Sequence, residues 1–299
     1  RTPGVTVSRF NPVGSFGGAE GGAVYIRGLG ASRPGSEIKT YIDGVPFYMG
    51  VWNHPLLDLL PINGMQSINV HKGPQPQTFG NTFAAIDLTP RQAASGDNQH
   101  GELQLTGGSF RTFTDQATLT GRSGAWDYSL AQGAAHSDGD RADGDGRLNN
   151  GLARIGYQLN DNWSASLLTL HADNQASDPG QKGLPATKMG DFNTRGTLAA
   201  LSLAHEYEQA QGSLKLYHNE GRGSALDQAG LDGDTITNFS MQGLRWEESL
   251  QPWQGGGVAL GLEVDESKGD VAFRRIAPAP QDAYDAPTLR LVSPHAALS

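Results

Sequence analysis

Alternating apolar and polar positions dominate the chain from about residue 100 onward. In the segment GGVALGLEVDES, the apolar residues Val258, Leu260, Leu262 and Val264 occupy every second position. Because successive side chains of a β-strand point to opposite faces, these four residues share one face, and the small or acidic residues between them share the other. Similar segments of roughly ten residues recur, and the pattern predicts about ten strands within residues 94–299.

The connections between the predicted strands alternate in length. Short links such as GRSGA at 121–125 and NDN at 160–162 alternate with long polar segments such as HSDGDRADGDGRLNN and ADNQASDPGQKGLPATKMGDFNTR. An antiparallel meander with tight turns at one end and long loops at the other is typical of an outer-membrane β-barrel. Four tryptophans at predicted strand ends fit an interfacial aromatic girdle, and packing in an ordinary core explains any single one equally well: Trp126, Trp163, Trp246 and Trp253.

The first ninety or so residues differ in composition and in the length of their predicted strands. They hold nine of the sixteen prolines and several short apolar strands, including AVYIRG, TYIDGV and SINVHK. Proline and glycine at this density end strands early and introduce turns. We therefore predict two domains, a compact turn-rich unit at residues 1–93 and the strand meander at residues 94–299.

The composition and motifs of the chain argue against several classes of protein. The formal net charge of −9 argues against a broad basic surface, and therefore against nucleic acid as a partner. The chain of 299 residues contains no cysteine, which excludes a disulfide framework and thiolate metal sites. No apolar run is long enough for a membrane-spanning helix. We find no nucleophile elbow, phosphate-binding loop or paired-carboxylate site, so the sequence predicts that the protein is not an enzyme.

Three motifs in the first domain occur in a characteristic order. They are AVYIRGLG at 23–30, TYIDGVPF at 40–47 and SINVHKGPQPQTFGNTFAAIDLTP at 67–90. In this order and spacing they resemble the plug domain of the TonB-dependent outer-membrane receptors. Lys72 stands where the family usually has arginine, and FAAIDLTPR lacks the family's glycine pair. The resemblance implies a mainly β fold: a partial plug domain, small and mixed α/β, followed by the N-terminal strands of a large antiparallel transmembrane β-barrel.

The resemblance also implies a function. Such a receptor resides in the bacterial outer membrane, among outer-membrane lipid, and takes up a scarce bulky nutrient, most often a ferric siderophore, with cobalamin, heme or a glycan as lesser options. Energy comes from the TonB complex, which in the family pulls a segment upstream of the plug that is absent from this chain. Transport is gated binding without covalent chemistry, and no cofactor is expected.

Two other classes compete with this reading. The first is a passive outer-membrane pore or surface adhesin barrel without energy coupling, against which the order of the three motifs argues. The second is a soluble all-β binding domain, against which the strict alternation of short and long connections argues. Fractionation with outer membranes separates the receptor from the soluble domain.

The segment PFYMGVWNHP crowds large apolar side chains into a loop after the strand TYIDGVPF. In the family this loop faces the extracellular vestibule, where aromatic groups can hold a bulky ligand. We therefore expect Tyr48 and Trp52 to line the ligand site together with Met49 and Phe47, and Arg33 to contact an anionic group. Packing of the same side chains into the core of the plug is the competing interpretation.

The cations of the plug motifs suggest how the plug is held. By the resemblance, Arg27 and Lys72 face the polar barrel wall and pair with carboxylates, which would give contacts that a pulling force can break. Solvated surface charge is the alternative for both.

Two further expectations concern the ends and loops. We expect the chain to be a fragment whose barrel continues past Ser299, because a complete transporter barrel has about 22 strands. The segment SDGDRADGDG at 137–146 offers Asp138, Asp140, Asp143 and Asp145 as oxygen ligands for calcium, but the spacing departs from an EF-hand, and a solvated loop is the favoured reading.

Overall fold

The computed structural model shows a mainly β protein with a small domain packed against one face of a large antiparallel sheet. The structure describes residues 2–8, 13, 23–30, 38–51, 54–56, 59–80, 82–93, 96, 99–180, 183–229, 233–278 and 280–298. Within these residues, no helix is long and apolar enough to cross a membrane.

The small domain contains short strands in three sheets. One sheet has β1 (Val5–Ser8), β2 (Ala23–Ile26) and β3 (Leu29–Gly30), and a two-stranded ribbon has β6 (Tyr48–Met49) and β7 (His54–Pro55). The third has the order β5-β4-β9-β8 and contains β4 (Ile38–Ile42), β5 (Val45–Pro46), β8 (Met65–His71) and β9 (Ala84–Pro90), with β4 and β9 parallel. A 3₁₀ turn (Ile62–Gly64) and helix α1 (Pro76–Phe79) complete the described part of the domain.

The large sheet has ten strands, each hydrogen-bonded to its neighbours in sequence, so the prediction of about ten strands is confirmed. The strands are β10 (Gln99–Gly107), β11 (Phe113–Ser123), β12 (Trp126–Ser137), β13 (Gly146–Gln158), β14 (Trp163–Asp178), β15 (Gly190–Tyr207), β16 (Ala210–Gln228), β17 (Gly233–Trp253), β18 (Gly256–Arg274) and β19 (Asp282–Leu298). They form a simple meander without crossovers.

The connections alternate as predicted, although the longer ones are shorter than the sequence indicated. Tight turns such as 124–125 and 254–255 lie at one end of the sheet, and longer loops such as 138–145 and 179–189 lie at the other. We call these the tight-turn end and the long-loop end. Much of the predicted loop sequence continues as paired strand, because pairing between neighbours supplies hydrogen-bond partners for the backbone even where the side chains are polar. Strand β17 thereby reaches 21 residues.

The face of the sheet that points away from the small domain carries a continuous apolar row. Direct cross-strand partners form this row from β12 to β19, and its members are Tyr128, Ile155, Leu167, Leu201, Leu216, Leu244, Val264 and Val292. Ile155, Leu167 and Leu201 are exposed although they are large and apolar. Because an exposed band of this kind is costly in water, the row suits contact with lipid chains.

Aromatic side chains collect on the same outer face near the tight-turn end. The rings of Trp126 and Tyr157 lie 4.6 Å apart between centroids. The indole Nε1 of Trp163 donates a hydrogen bond to the hydroxyl of Tyr207 at 2.8 Å. Amphipathic rings below an apolar row are the arrangement expected of an interfacial girdle.

The inner face of the sheet packs against the small domain. Leu170 of β14 and Leu198 of β15 are fully buried in one apolar cluster with Ile42, Phe47 and Leu59 of the small domain. These inner residues alternate along each strand with the residues of the outer face. The small domain is therefore seated on one side of the sheet, in the position of a plug against a barrel wall.

Candidate functional site

Close approach between plug and sheet depends on small residues at the contact. A Cβ atom built at Gly196 of β15 would lie 2.9 Å from Leu59 Cδ1 and 3.5 Å from Phe47 Cζ. On the plug side, a Cβ atom at Gly64 would lie 2.9 Å from the Cβ of Ala131. Larger side chains at these positions would push the two domains apart, so the glycines set the spacing of the interface.

The orientation of the plug follows from which segments meet which end of the sheet. Met49 Cε lies 3.1 Å from a Cβ built at Gly223, and a Cβ built at Gly50 would meet Ser267. Gly223 and Ser267 both belong to the long-loop halves of their strands. Helix α1, by contrast, contacts side chains in the tight-turn halves of β17 and β18. The loop after β5 is therefore directed toward the long-loop end.

The DGVP motif forms a tight hairpin turn between β4 and β5. Asp43 and Gly44 have φ angles of 54° and 69°, as a type I′ turn requires, and Ile42 pairs with Val45 across it. The backbone N–H of Gly44 donates to Asp87 Oδ1 at 3.2 Å. The turn points its carbonyl groups toward the sheet.

Two cations of the sheet bind this turn. Lys215 Nζ of β16 lies 3.1 Å from Asp43 Oδ2 and also donates to the carbonyl oxygen of Asp43. Arg245 of β17 donates through one terminal nitrogen to the carbonyl oxygen of Gly44 at 2.8 Å. Charged donors make stronger hydrogen bonds than neutral ones, so this pair holds the turn with few contacts. We call Lys215, Arg245 and the turn they bind the turn clamp.

Arg245 links the turn to helix α1. Its side chain is 3% exposed, and its other terminal nitrogen donates to the carbonyl oxygen of Thr78 and to Glu247 Oε1, the latter at 2.7 Å. Its Nε donates to the same Glu247 oxygen at 3.1 Å. A buried guanidinium is tolerated only when its charge and donors are matched, and here one carboxylate and two backbone carbonyls do so.

A second polar group lies deeper in the interface. The hydroxyl of Tyr217 donates to Asp265 Oδ1, in space left open by the missing side chain of Gly243. Lys39 Nζ of the plug lies 5.0 Å from the centre of the Tyr48 ring. Burial lowers the pKa of Lys39, and the carboxylates of Glu263 and Asp265 act in the opposite direction. The plug thus presents a partly desolvated cation to acidic residues of the wall.

Asn219 of β16 adds a neutral contact. Its Nδ2 donates to the carbonyl oxygen of Pro46 at 2.9 Å, and its side chain is completely buried. Together with the turn clamp, this bond fixes three of the four residues of the DGVP motif, Asp43, Gly44 and Pro46, to strands β16 and β17 of the sheet.

The residues predicted to bind ligand lie mostly in the plug core. Phe47, Tyr48 and Met49 are buried, with Tyr48 only 4% exposed, and all three belong to the main apolar cluster. Trp52 and Arg33 lie outside the described residues. Their assignment to a ligand site stays a prediction.

Arg27 and Lys72 lie elsewhere than the turn clamp. The side chain of Arg27 is exposed, and Lys72 Nζ donates to the carbonyl oxygen of Pro3 within the plug at 3.2 Å. The ion pairs of the described residues include neither cation. Their pairing with barrel carboxylates stays a prediction. The described charged contacts between plug and sheet include those of Lys215 and Arg245 and an ion pair between Arg91 and Glu102 of β10 at 3.5 Å.

The alternating pattern contained a signal for these two cations. Lys215 lies between Leu214 and Leu216, and Arg245 lies between Leu244 and Trp246. If the apolar neighbours face lipid, a charged residue between them must face the plug. The pattern could not indicate which plug atoms they would contact.

The interface is open at its tight-turn end. A cavity of about 510 Å³ lies there, lined by Thr78 of the plug and by polar residues of the sheet that include Glu206, Ser213, Glu247 and His295. At the opposite end, Asp138 of the acidic segment 137–146, for which a solvated loop was favoured over a calcium site, accepts a hydrogen bond from Arg111 Nε at 2.5 Å. Across the described part of the chain, no group of three or more acidic or histidine side chains is placed to hold a metal ion.

The small domain is held by polar contacts against the inner face of an antiparallel sheet whose outer face carries an exposed apolar row, which is the arrangement of a plug against a barrel wall. Residues 1–85 match the family described as TonB-dependent Receptor Plug Domain. A plug domain of this family therefore occupies the first part of the chain, and the ten-stranded antiparallel sheet follows it. No curated protein matches the chain at the sequence level.

Solved structures share the fold of both domains. The copper transporter OprC superposes with a TM-score of 0.74 at 15% identity, covering 96% of this chain and 45% of the other. The ferric citrate transporter FecA in its unliganded form gives 0.69 at 17% identity, covering 94% and 47%. The ferripyoverdine receptor of the outer membrane of Pseudomonas aeruginosa gives 0.67 at 14% identity, covering 94% and 41%.

The chain thus spans less than half the length of each of these proteins. All three are named as transporters or receptors.

Proposed function

We propose that the protein acts in the bacterial outer membrane and imports a scarce bulky nutrient, in the first instance a ferric siderophore, with energy supplied through TonB. The observation that carries the proposal is the turn clamp, which joins plug and wall through a few charged hydrogen bonds at one turn. A plug held in this way stays closed at rest, and a directed pull on it can break the contacts one after another. The similarity to a ferripyoverdine receptor and a ferric citrate transporter supports an iron-bearing substrate.

Energised uptake tests the proposal. Cells that lack the gene and cells that express the full-length receptor are given radiolabelled ferric siderophores, ferric citrate and copper ions, each with and without a protonophore. We expect the receptor to confer uptake of a ferric siderophore that stops when the proton gradient collapses. Uptake that continues without the gradient would instead identify a passive pore, and binding without uptake would identify an adhesin. If copper ions alone are taken up and that uptake needs the proton gradient, the proposed substrate is wrong and the proposed energy coupling stands.

The ligand site is proposed at the loop that follows β5. Tyr48 and Trp52, with Phe47, Met49 and Arg33, would form it. The direction of this loop toward the long-loop end supports the proposal, because ligand arriving from outside meets that end first. Burial of Tyr48 in the resting plug requires that ligand binding rearranges the loop.

Alanine variants distinguish ligand contact from plug packing. We expect Tyr48→Ala and Trp52→Ala to weaken ligand binding about tenfold, or 1.4 kcal/mol, at normal membrane level. Tyr48→Ala should also lower the melting temperature, because Tyr48 is buried in the main apolar cluster. Leu56→Ala is the matched control, since Leu56 is fully buried in the same cluster but lies outside the aromatic group. It should lower the melting temperature and leave affinity unchanged. Unchanged affinity of the folded protein in both aromatic variants, as expected for the control, would contradict the assignment.

A further inference from the structure

Three arginines from neighbouring strands converge on the outer face of the sheet, toward the long-loop end. Arg195 of β15 and Arg222 of β16 are direct cross-strand partners. Asp173 of β14 lies opposite Arg195, and Arg147 of β13 lies opposite Gln175, two residues further along β14. We call Arg147, Arg195 and Arg222 the arginine cluster.

The cluster faces away from the plug. Arg195 and Arg222 are each separated from a member of the apolar row by an even number of positions, Leu201 and Leu216 respectively, and therefore share its face. The intervening positions face inward, and Leu198 of β15 and Asn219 of β16 are buried against the plug. Ligands of the receptor lumen thus have no access to the cluster.

The position of the arginine cluster along the strands matches one edge of a membrane. Asp173 and Arg195 lie about ten residues along their strands from the aromatic pair Trp163 and Tyr207, and about ten tilted residues are what a strand needs to cross the hydrocarbon core. If the aromatic pair marks the interface at the tight-turn end, the cluster marks the interface at the other end. Lipid headgroups lie at that level.

The positive charge of the cluster is poorly balanced by the protein. Arg147 donates to Gln175 Oε1 at 3.0 Å, and the ion pairs formed among the described residues include none of the three arginines. Arg290, on the same face of β19, shows the contrast, because its Nε lies 2.6 Å from Glu266 Oε2. The arginines and Asp173 line a recess of about 330 Å³ that is almost entirely polar. A chain of net charge −9 here presents a local concentration of guanidinium groups.

We propose that the arginine cluster binds the phosphate of a membrane lipid headgroup in the leaflet on the long-loop side. Guanidinium groups bind phosphate through paired, parallel hydrogen bonds, and the three of β13, β15 and β16, which line one recess, can surround one phosphate group. The apolar row beneath would contact the acyl chains of the same lipid. This site goes beyond nutrient uptake, but it rests on the proposed placement of the strands in a membrane.

A binding titration on the full-length receptor in neutral detergent tests the site. The probe is a bisphosphorylated lipid A, compared with the same glycolipid after removal of its phosphates. We expect the phosphorylated form to bind more tightly, and Arg195→Gln combined with Arg222→Gln to weaken its binding about tenfold. Arg290→Gln is the matched control, since it removes a paired arginine from the same face, and it should change affinity less than twofold.

Two further measurements distinguish a lipid phosphate from free phosphate and test whether charged contacts carry the binding. Inorganic phosphate should compete only at concentrations far above those of the lipid, and equal potency would show a soluble-anion site and overturn the proposal. Lipid binding by the unaltered receptor should weaken as salt rises, because charged contacts are screened. Salt-independent binding, or equal affinity for the dephosphorylated lipid, would also overturn it. Energised uptake is measured in the same variants, so failure of the lipid site with uptake intact leaves the proposed function standing.

Discussion

At the scale of single residues, Arg245 shows how a buried charge can serve a gate. Its guanidinium donates to two plug carbonyls and to Glu247, and almost none of it is exposed. Removing one partner of such a group leaves the others desolvated and unmatched, which costs far more than the net worth of the contact. The residue therefore stabilises the closed interface between plug and sheet.

Replacement of Arg245 by methionine should release the plug. We expect the plug of Arg245→Met to be destabilised by about 3 kcal/mol, because the carbonyls of Gly44 and Thr78 and the carboxylate of Glu247 lose their donor together. The measurement is the urea concentration at which the full-length receptor begins to conduct ions in a planar bilayer. Arg290→Met removes an exposed ion pair on the outer face and should shift that concentration little. Equal shifts in the two variants would show that the turn clamp does not hold the plug.

Asp87 provides a pH-dependent test of the same turn. Burial raises the pKa of Asp87, the charge of Asp43 adds to this effect, and the hydrogen bond from the Gly44 N–H opposes it. A carboxyl whose folded pKa is raised binds its proton more tightly in the native state, so its contribution to stability is full at low pH and falls as pH rises through the folded pKa.

Asp87→Asn keeps an oxygen acceptor for Gly44 and removes the titration. As pH rises from acid to neutral, the plug of this variant should therefore become more stable relative to the plug of the unaltered receptor. Both proteins share all other titrating groups, so a difference that stays constant with pH would exclude Asp87 as the source. Conductance onset in urea, measured at several pH values, is the readout.

At the scale of secondary-structure elements, the DGVP turn and the long strands behave differently. The turn has one permitted geometry, because positive φ angles at Asp43 and Gly44 are needed to join β4 and β5. The strands of the sheet instead extend as far as a neighbour continues, which is why sequence with loop character pairs up to residue 137 in β12 and from residue 233 in β17. Local sequence decides the turn, whereas pairing decides strand length.

Glycine substitutions test the turn. Gly44→Ala should lower plug stability by about 1–2 kcal/mol, because alanine, unlike glycine, is strained in the left-handed backbone conformation at a φ of 69°. Gly73→Ala, in the Lys-Gly-Pro segment, is the matched control. A Cβ there meets nothing within 4 Å, and its φ lies outside the left-handed region, so the change should stay within about 0.5 kcal/mol. Equal effects would mean that the turn conformation is not the cause.

At the scale of the whole molecule, small residues let plug and sheet pack closely, and polar side chains hold the two together. Glycines at 64 and 196 allow close contact, and the turn clamp supplies contacts that can break in sequence. The absence of cysteine from the chain allows this arrangement to be tethered by a single introduced disulfide.

A reversible tether between plug and wall should block transport. A Cβ at Gly64 would lie 3.7 Å from the Cβ of Leu152, which suits a disulfide, whereas Ala131 would be too close. We therefore expect Gly64→Cys with Leu152→Cys, in an Ala131→Gly background, to form a disulfide that stops uptake while ligand still binds. Reduction should restore uptake in the same cells. Unimpaired uptake by the oxidised protein would show that the plug does not leave β12 and β13 during transport.

The sequence alone determined what depends on local pattern. Alternation along segments such as Val258–Val264 predicted about ten strands and their two faces, because side-chain direction in a strand has a period of two. The order of the IRG, DGVP and KGP motifs identified the plug, and Asp-Gly at 43–44 encodes its turn without help from other parts of the chain.

Only the tertiary structure decided which groups meet. Arg27 and Lys72 were the cations marked by the plug motifs, yet the cations that bind the DGVP turn are Lys215 and Arg245, which lie 172 and 201 residues along the chain from the turn residues they contact. Burial of Tyr48 and convergence of Arg147, Arg195 and Arg222 likewise follow from strand register and from how the plug is seated. The physical reason is that pattern determines which face a side chain takes, whereas its partner depends on a distant segment that folding brings to that face.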